Sequence, residues 1–217
     1  GEGGIFSLFA LVKRYGKGLT VVAILGATTL LADGIITPPI SVASAVEGLA
    51  NVKGLELIFS PGSKSTIVLV IVILSLLFFF QRFGTNNVGK VFGPIMVIWF
   101  LMLAILGIYQ IVLYPSIFLA INPKYAYELL VKYPNGFWLL GAVFLCTTGA
   151  EALYSDLGHC GRQNIRKSWL YVKTALILNY FGQAAWLLTN GTQLLEGRNP
   201  FYEIMPNWFL IPGILIA

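Results

Sequence analysis

Apolar residues in this chain fall into long runs broken by short polar segments. The runs predict helices over residues 1–12 in part, 19–46, 65–80, 91–114, 136–157, 168–190 and 206–217 in part. A bilayer-crossing helix needs about 20 predominantly apolar residues. The runs at 19–46 and 91–114, and the one from Ser168 to about Leu195, reach that length, and 65–80 is a little short. Ile5–Val12 and Phe209–Ala217 are too short to cross, so the residues are expected to form the middle of a larger protein. The longest connections are Asn51–Lys64, which contains Ser60-Pro61-Gly62, Tyr114–Asn135 and Asn190–Asn207. The second of these holds an Asn122-Pro123 turn and a short amphipathic helix expected over Tyr125–Lys132.

Two acids interrupt the apolar runs. Gly136–Ala150 carries no charge, and Glu151 follows directly after Thr147-Thr148-Gly149-Ala150. A carboxylate at membrane depth costs about 2.5 kcal/mol or more, and such residues normally face a bundle interior or water. Gly weakens a helix and Thr hydroxyls bond freed carbonyls, so Thr147-Thr148-Gly149 is a candidate helix break. A break of that kind exposes backbone oxygens to a protein-lined cavity, where they are cation ligands. The second acid, Asp33, is the only charge in Leu19–Val46. Thr37 and Ser41 follow it at spacings of four and share its helix face, a polar stripe expected to point into the bundle. The Pro38-Pro39 pair removes two backbone donors between them and is expected to kink the helix. The structural alternatives are an Asp33 tied to a neighbouring helix end and a Glu151 that caps its own helix. Asp156 and His159 fit a solvated helix end, and Asn179 and Gln183 fit hydrogen bonding between helices.

Composition agrees with a membrane setting: 57% of residues are hydrophobic and only 11% charged, with mean hydropathy +0.81, against roughly 25% charged in soluble domains. The net charge of +5 is spread over short loops, with no basic face or nucleic-acid motif, so nucleic acid is not an expected partner. Two cysteines, Cys146 and Cys160, make no disulfide framework and are read as free thiols. Basic residues are uneven: Lys13, Arg14, Lys17, Arg82, Lys90, Arg162, Arg166, Lys167 and Lys173 make nine of the fourteen, and the alternate loops hold five. The positive-inside rule then predicts loops 13–18, 81–90 and 158–167 to be cytoplasmic.

Several segments resemble the Kup (KUP/HAK/KT) potassium uptake family: Gly1-Glu2-Gly3-Gly4, Asp33 through Ser41 with Ala45–Leu49, Val88 through Met96, Thr148 through His159, and Asn179-Tyr180-Phe181-Gly182-Gln183. The resemblance covers nearly the whole chain. It implies an all-α membrane protein with the LeuT-like (amino acid–polyamine–organocation) inverted-repeat helical bundle, present in part. The portion is the end of helix 2 to the start of helix 8, with Asp33 on helix 3 and Glu151 on a broken helix 6. It further implies potassium uptake across the plasma membrane by proton-coupled symport, with potassium and protons as transported species and no other cofactor. Some relatives carry Glu where this chain has Asp33, and the family's helix 1 motif and its large C-terminal region fall outside these residues. The lipid bilayer is the expected surrounding, and a homodimer is one assembly open to the protein.

The residues suit that chemistry. Potassium takes carbonyl, hydroxyl and carboxylate oxygens in place of water, and Thr147, Thr148, Thr37 and Ser41 offer hydroxyls. Proton coupling calls for a carboxylate that binds and releases a proton near neutral pH, which desolvation promotes; Asp33 and Glu151 are the candidates. A passive cation channel, or another cation or amino-acid transporter of the same fold, is the alternative, although the chain has no Thr-Val-Gly-Tyr-Gly filter motif. It also has no Gly-x-Ser-x-Gly elbow, His/Cys metal spacing or paired intramembrane-protease aspartates, so no enzyme activity is expected.

Overall fold

A computed structural model describes residues 9–11, 13–16, 18–60, 62–81, 85–145, 161–191 and 199–217. Every regular element among the described residues is helical. Helix α1 spans Gly18–Glu47 and runs on into a 3₁₀ turn, Gly48–Asn51. Pro38 and Pro39 lie inside α1 without ending it. Helix α2 spans Lys64–Gln81. Ser63 starts it, its Oγ accepting from the Thr66 amide at 3.2 Å, which meets one of the donors every helix start leaves open. Helix α3 spans Thr85–Leu113, and a 3₁₀ stretch follows over Pro115–Ile121. Helix α4, Pro123–Lys132, begins at an Asn122 cap whose side chain accepts from the Lys124 amide. Helices α5 (Gly136–Leu145), α6 (Arg162–Asn190), α7 (Pro200–Glu203) and α8 (Leu210–Ile216) complete the described residues.

Three boundaries correct the sequence reading. Helix α3 starts at Thr85 and not at 91, and α6 starts at Arg162 and not at 168. In both cases backbone hydrogen bonding continues through a polar turn that hydropathy does not register as helix. The final helix starts at Leu210 and not at 206, because Pro206–Phe209 forms a turn closed by the Phe209 amide on the Pro206 carbonyl. Of the span expected over 136–157, Gly136–Leu145 is described and helical, and the remainder lies outside the described residues.

The chain divides into two compact units, Gly1–Ala32 with Phe118–Leu170, and Asp33–Ile117 with Tyr171–Ala217. In the first, α4 packs on α5 across a tight turn. A Cβ on Gly136 would lie 2.8 Å from the carbonyl oxygens of Leu129 and Leu130. In the second, Met102, Leu103 and Leu106 of α3 bury against Tyr202, Met205 and Leu210. A smaller core joins Ile111, Ile117 and Ala185.

Helices α3 and α6 of the second unit run parallel. The Tyr171 hydroxyl donates to the Val97 carbonyl at 2.8 Å, Gly107 meets Gly182, and Ile111 meets Ala185. Partners thus rise together along both helices. At their crossing a Cβ on Gly182 would lie 2.5 Å from the Gly107 Cα, and one on Gly107 would run into the Leu178 carbonyl. Backbone-to-backbone approach through small residues is how helices associate in lipid, where burial of apolar surface gives no drive.

Among the described residues two helical stretches are long and apolar enough to cross a membrane, Gly18–Asn51 and Phe92–Leu113, and Lys64–Phe80 is a shorter apolar helix. Val21, Leu25, Leu31, Ile35 and Ile40 stand exposed along α1. In water a patch of that length marks an interaction surface or an aggregation hazard. In a bilayer it faces acyl chains or further helices.

Candidate functional site

The polar stripe of α1 lies in the second unit from Asp33 onward. Asp33 is half-buried, while Thr37 and Ser41 are exposed within the described residues. The Thr37 Oγ1 donates to Asp33 Oδ1 at 2.8 Å. An i, i+4 spacing brings these side chains together one turn apart. Because Pro38 and Pro39 carry no N–H, the carbonyls of Gly34 and Ile35 lose the donor that closes an ordinary helical bond. Those carbonyls belong to the two residues that follow Asp33 in the chain. Two turns beyond Asp33, Ser41 lines a mostly apolar cavity of about 420 Å³ with Leu69 and Ile73 of α2 and Ile214 of α8. Thr147, Thr148, Glu151, Asp156 and His159 lie outside the described residues. The structure therefore joins Asp33 to Thr37 and sets Ser41 further along the same helix.

Asn179 of α6 is 5% exposed, and its Oδ1 has no hydrogen-bond partner among the described residues. It sits at the Gly107–Gly182 crossing, with its backbone nitrogen 2.7 Å from where a Gly107 Cβ would be. Leaving a buried acceptor unmet costs about 1–3 kcal/mol.

A second polar cluster gathers at the C-terminal end of α1. Tyr202 of α7 is 3% exposed. Its hydroxyl donates to the Ser44 carbonyl at 3.1 Å, with the Ala45 carbonyl at 3.5 Å. Those carbonyls belong to the last turn of α1, where helices leave acceptors open. The Asn199 Nδ2 donates to the Ser44 Oγ at 3.4 Å, and Asn51 Nδ2 donates to Glu203 Oε1 at 2.9 Å. Beside the cluster lies a polar cavity of about 540 Å³, lined in part by Lys53, Glu56, Ser60, Glu203 and Asn207. The sequence reading takes Asn190–Asn207 as a connection, and the structure sets α7 within it; the Asn199-Pro200 pair, a cap followed by Pro at the first helical position, is the signal that marks such a start.

Burial pushes the Tyr202 phenol up to about 12, and the Glu47 carboxylate adds to the shift. A phenol that holds its proton more tightly folded than unfolded contributes stability below pH 10, the unfolded value. That contribution is lost as pH rises through 12. Wild-type protein in detergent is therefore expected to lose stability between pH 10 and 12 by about 1.4 kcal/mol per pH unit more than Tyr202→Phe does. Parallel melting curves of the two proteins across that window would contradict it.

Helices of bilayer length, an acid bonded within one of them and a small-residue helix crossing define an integral membrane protein of the multi-pass, all-helical class. Over residues 1–217 the chain matches the family described as "K+ potassium transporter integral membrane domain", and it belongs to that family, the Kup (KUP/HAK/KT) potassium transporters, as a multi-pass cell-membrane protein. It is 60% identical to the "Probable potassium transport system protein Kup" of Cytophaga hutchinsonii, covering all of this chain and 32% of that protein. Identity to proteins of the same description is 57% in Flavobacterium johnsoniae, covering 33% of that protein, and 52% in Clostridium perfringens, covering 34%; all of this chain is matched in both. The chain thus spans about a third of the length of these curated relatives. No solved structure matches it.

Proposed function

We propose that these residues are the helix 2 to helix 8 portion of a proton-coupled potassium uptake transporter with the LeuT-like inverted-repeat fold. The relatives are named as potassium transport proteins. The observation that carries the reading is the Asp33–Thr37 hydrogen bond on a bilayer-length helix, next to a Pro-Pro pair. A hydroxyl is both donor and acceptor. Thr37 donates to an ionised Asp33, and it can turn to accept when Asp33 holds a proton. That exchange lets one side chain follow the protonation state of its neighbour while its other lone pairs serve a cation. Thr37 and Ser41, with Thr147 and Thr148, supply hydroxyl oxygens for potassium. Asp33 takes the coupling proton, with Glu151 as the alternative carrier or as the other half of a coupled pair.

The parallel course of α3 and α6 supports alternating spans. On the proposed reading α3 and α6 both cross the bilayer, in the same direction, and the chain between them returns across it. Residues 136–150 are the uncharged stretch available for that return. On this topology loops 13–18, 81–90 and 158–167 face the cytoplasm, as their basic residues favour.

Glu151→Gln in the full-length transporter tests the assignment. Potassium uptake is expected to fall to background with membrane insertion and protein level unchanged. Uptake at the wild-type rate would remove Glu151 from the site.

A further inference from the structure

Tyr202 and its neighbours hold the half of α1 that carries Asp33, Thr37 and Ser41, and they do so from more than 150 residues away in sequence. We propose that Asn199–Glu203 is a fixed clasp on the C-terminal end of α1, and that Tyr202 is a positioning residue for the cation site. The inference rests on the proposed transport function.

Three kinds of contact make the clasp. The Tyr202 hydroxyl bonds the Ser44 carbonyl, and Asn199 bonds the Ser44 side chain. The Tyr202 ring lies on Gly48, where any Cβ would stand 2.6 Å from ring carbons. Phe201 stacks edge-on with Trp99 of α3 at 5.5 Å between centroids and with Tyr202 at 5.2 Å. The clasp is therefore rooted in the core of α3 at one side and on α1 at the other. Glycine at position 48 is required by the ring and not by the backbone, since Gly48 opens the 3₁₀ turn and does not take a left-handed conformation.

A fixed anchor and a moving gate differ in what they control. Helix α1 rises 1.5 Å per residue, so Ser44 sits about 16 Å along the axis from Asp33. Over that distance a tilt of about 4° at the anchored end moves the oxygens around Asp33 by about 1 Å. Misplacement of ligands lowers cation affinity. A contact that breaks and reforms in each cycle would instead govern the turnover rate. Tyr202 is packed into the largest buried cluster among the described residues, with Phe201 edge-on at one side and Gly48 against its ring at the other, which favours the fixed anchor.

The test uses the full-length transporter with Gly48→Val, Tyr202→Ala, their combination, and Tyr202→Phe. Two readouts are taken: amide hydrogen exchange over residues 33–47, and the half-saturating potassium concentration against the maximal uptake rate per molecule. Tyr202→Ala is expected to speed exchange in 33–47 by at least about tenfold, and Gly48→Val to raise half-saturation by about tenfold with the maximal rate kept. Adding Gly48→Val to Tyr202→Ala is expected to do nothing more, because the ring it strikes is gone. Tyr202→Phe, which keeps the ring and loses the hydroxyl, should fall between wild type and Tyr202→Ala on both readouts. Where Gly48→Val fails to fold, the two Tyr202 variants give the same decision. Unchanged exchange, or a fall in maximal rate with half-saturation unchanged, overturns the clasp. A wild-type protein that moves no potassium overturns the transport reading instead, and hydrogen exchange still decides whether the clasp holds α1.

Discussion

Asp33→Asn in the full-length transporter is expected to abolish accumulation of potassium against its gradient and to leave only downhill, pH-insensitive movement. Asn is nearly the same size as Asp, and its Oδ1 still accepts from Thr37 Oγ1, a bond of 2.8 Å in the wild-type protein. The local geometry therefore survives, and what disappears is the group that takes and gives a proton. Asp33 is the only charge between Leu19 and Val46, and an acid held at membrane depth is retained at a cost of about 2.5 kcal/mol or more. Such a cost points to use. Uptake measured across a range of external pH separates the outcomes. If Asp33→Asn still concentrates potassium with the normal pH dependence, Asp33 is structural and the proton rides elsewhere.

Gly182→Leu is expected to yield no folded transporter, and Gly182→Ala to cost about 1–3 kcal/mol, the usual range for overpacking. The Cβ at position 182 meets the backbone of Gly107 at 2.5 Å for Cα and 2.7 Å for the carbonyl oxygen. Backbone cannot rotate out of the way as a side chain can, so α3 and α6 must separate. Separation would also open the buried Asn179 beside them. Melting of the purified full-length protein in detergent reads the effect, and a Gly182→Ala protein that melts with the wild type would show that the helices tolerate a wider crossing.

The membrane-embedded helices were legible because a bilayer imposes long uncharged runs, and α1 differs by a single residue at each end from the run 19–46. Their polar extensions were not, since Thr85–Lys90 and Arg162–Lys167 continue a helix by backbone bonding that hydropathy does not see. The Asp33–Thr37 contact was readable from spacing alone, because i, i+4 neighbours on a helix meet whatever surrounds them. Pro38-Pro39 does not end the helix, although the pair removes two donors. The Tyr202 cluster could not be read, because its contacts with Ser44 join positions 155 to 158 residues apart. The Gly107–Gly182 crossing was hidden for the same reason, even though both glycines were visible in their apolar runs. Thr147, Thr148 and Glu151 remain readings of sequence and family resemblance.

The measurement that bears most directly on proton-coupled potassium uptake is made on the full-length protein in sealed proteoliposomes, with internal potassium and internal pH followed together while an inward proton gradient is imposed. Potassium is expected to accumulate above its external concentration as the lumen acidifies, and both movements are expected to stop when a protonophore collapses the gradient. Potassium that only equilibrates, at a rate indifferent to the proton gradient, would contradict coupled uptake and mark a passive pathway.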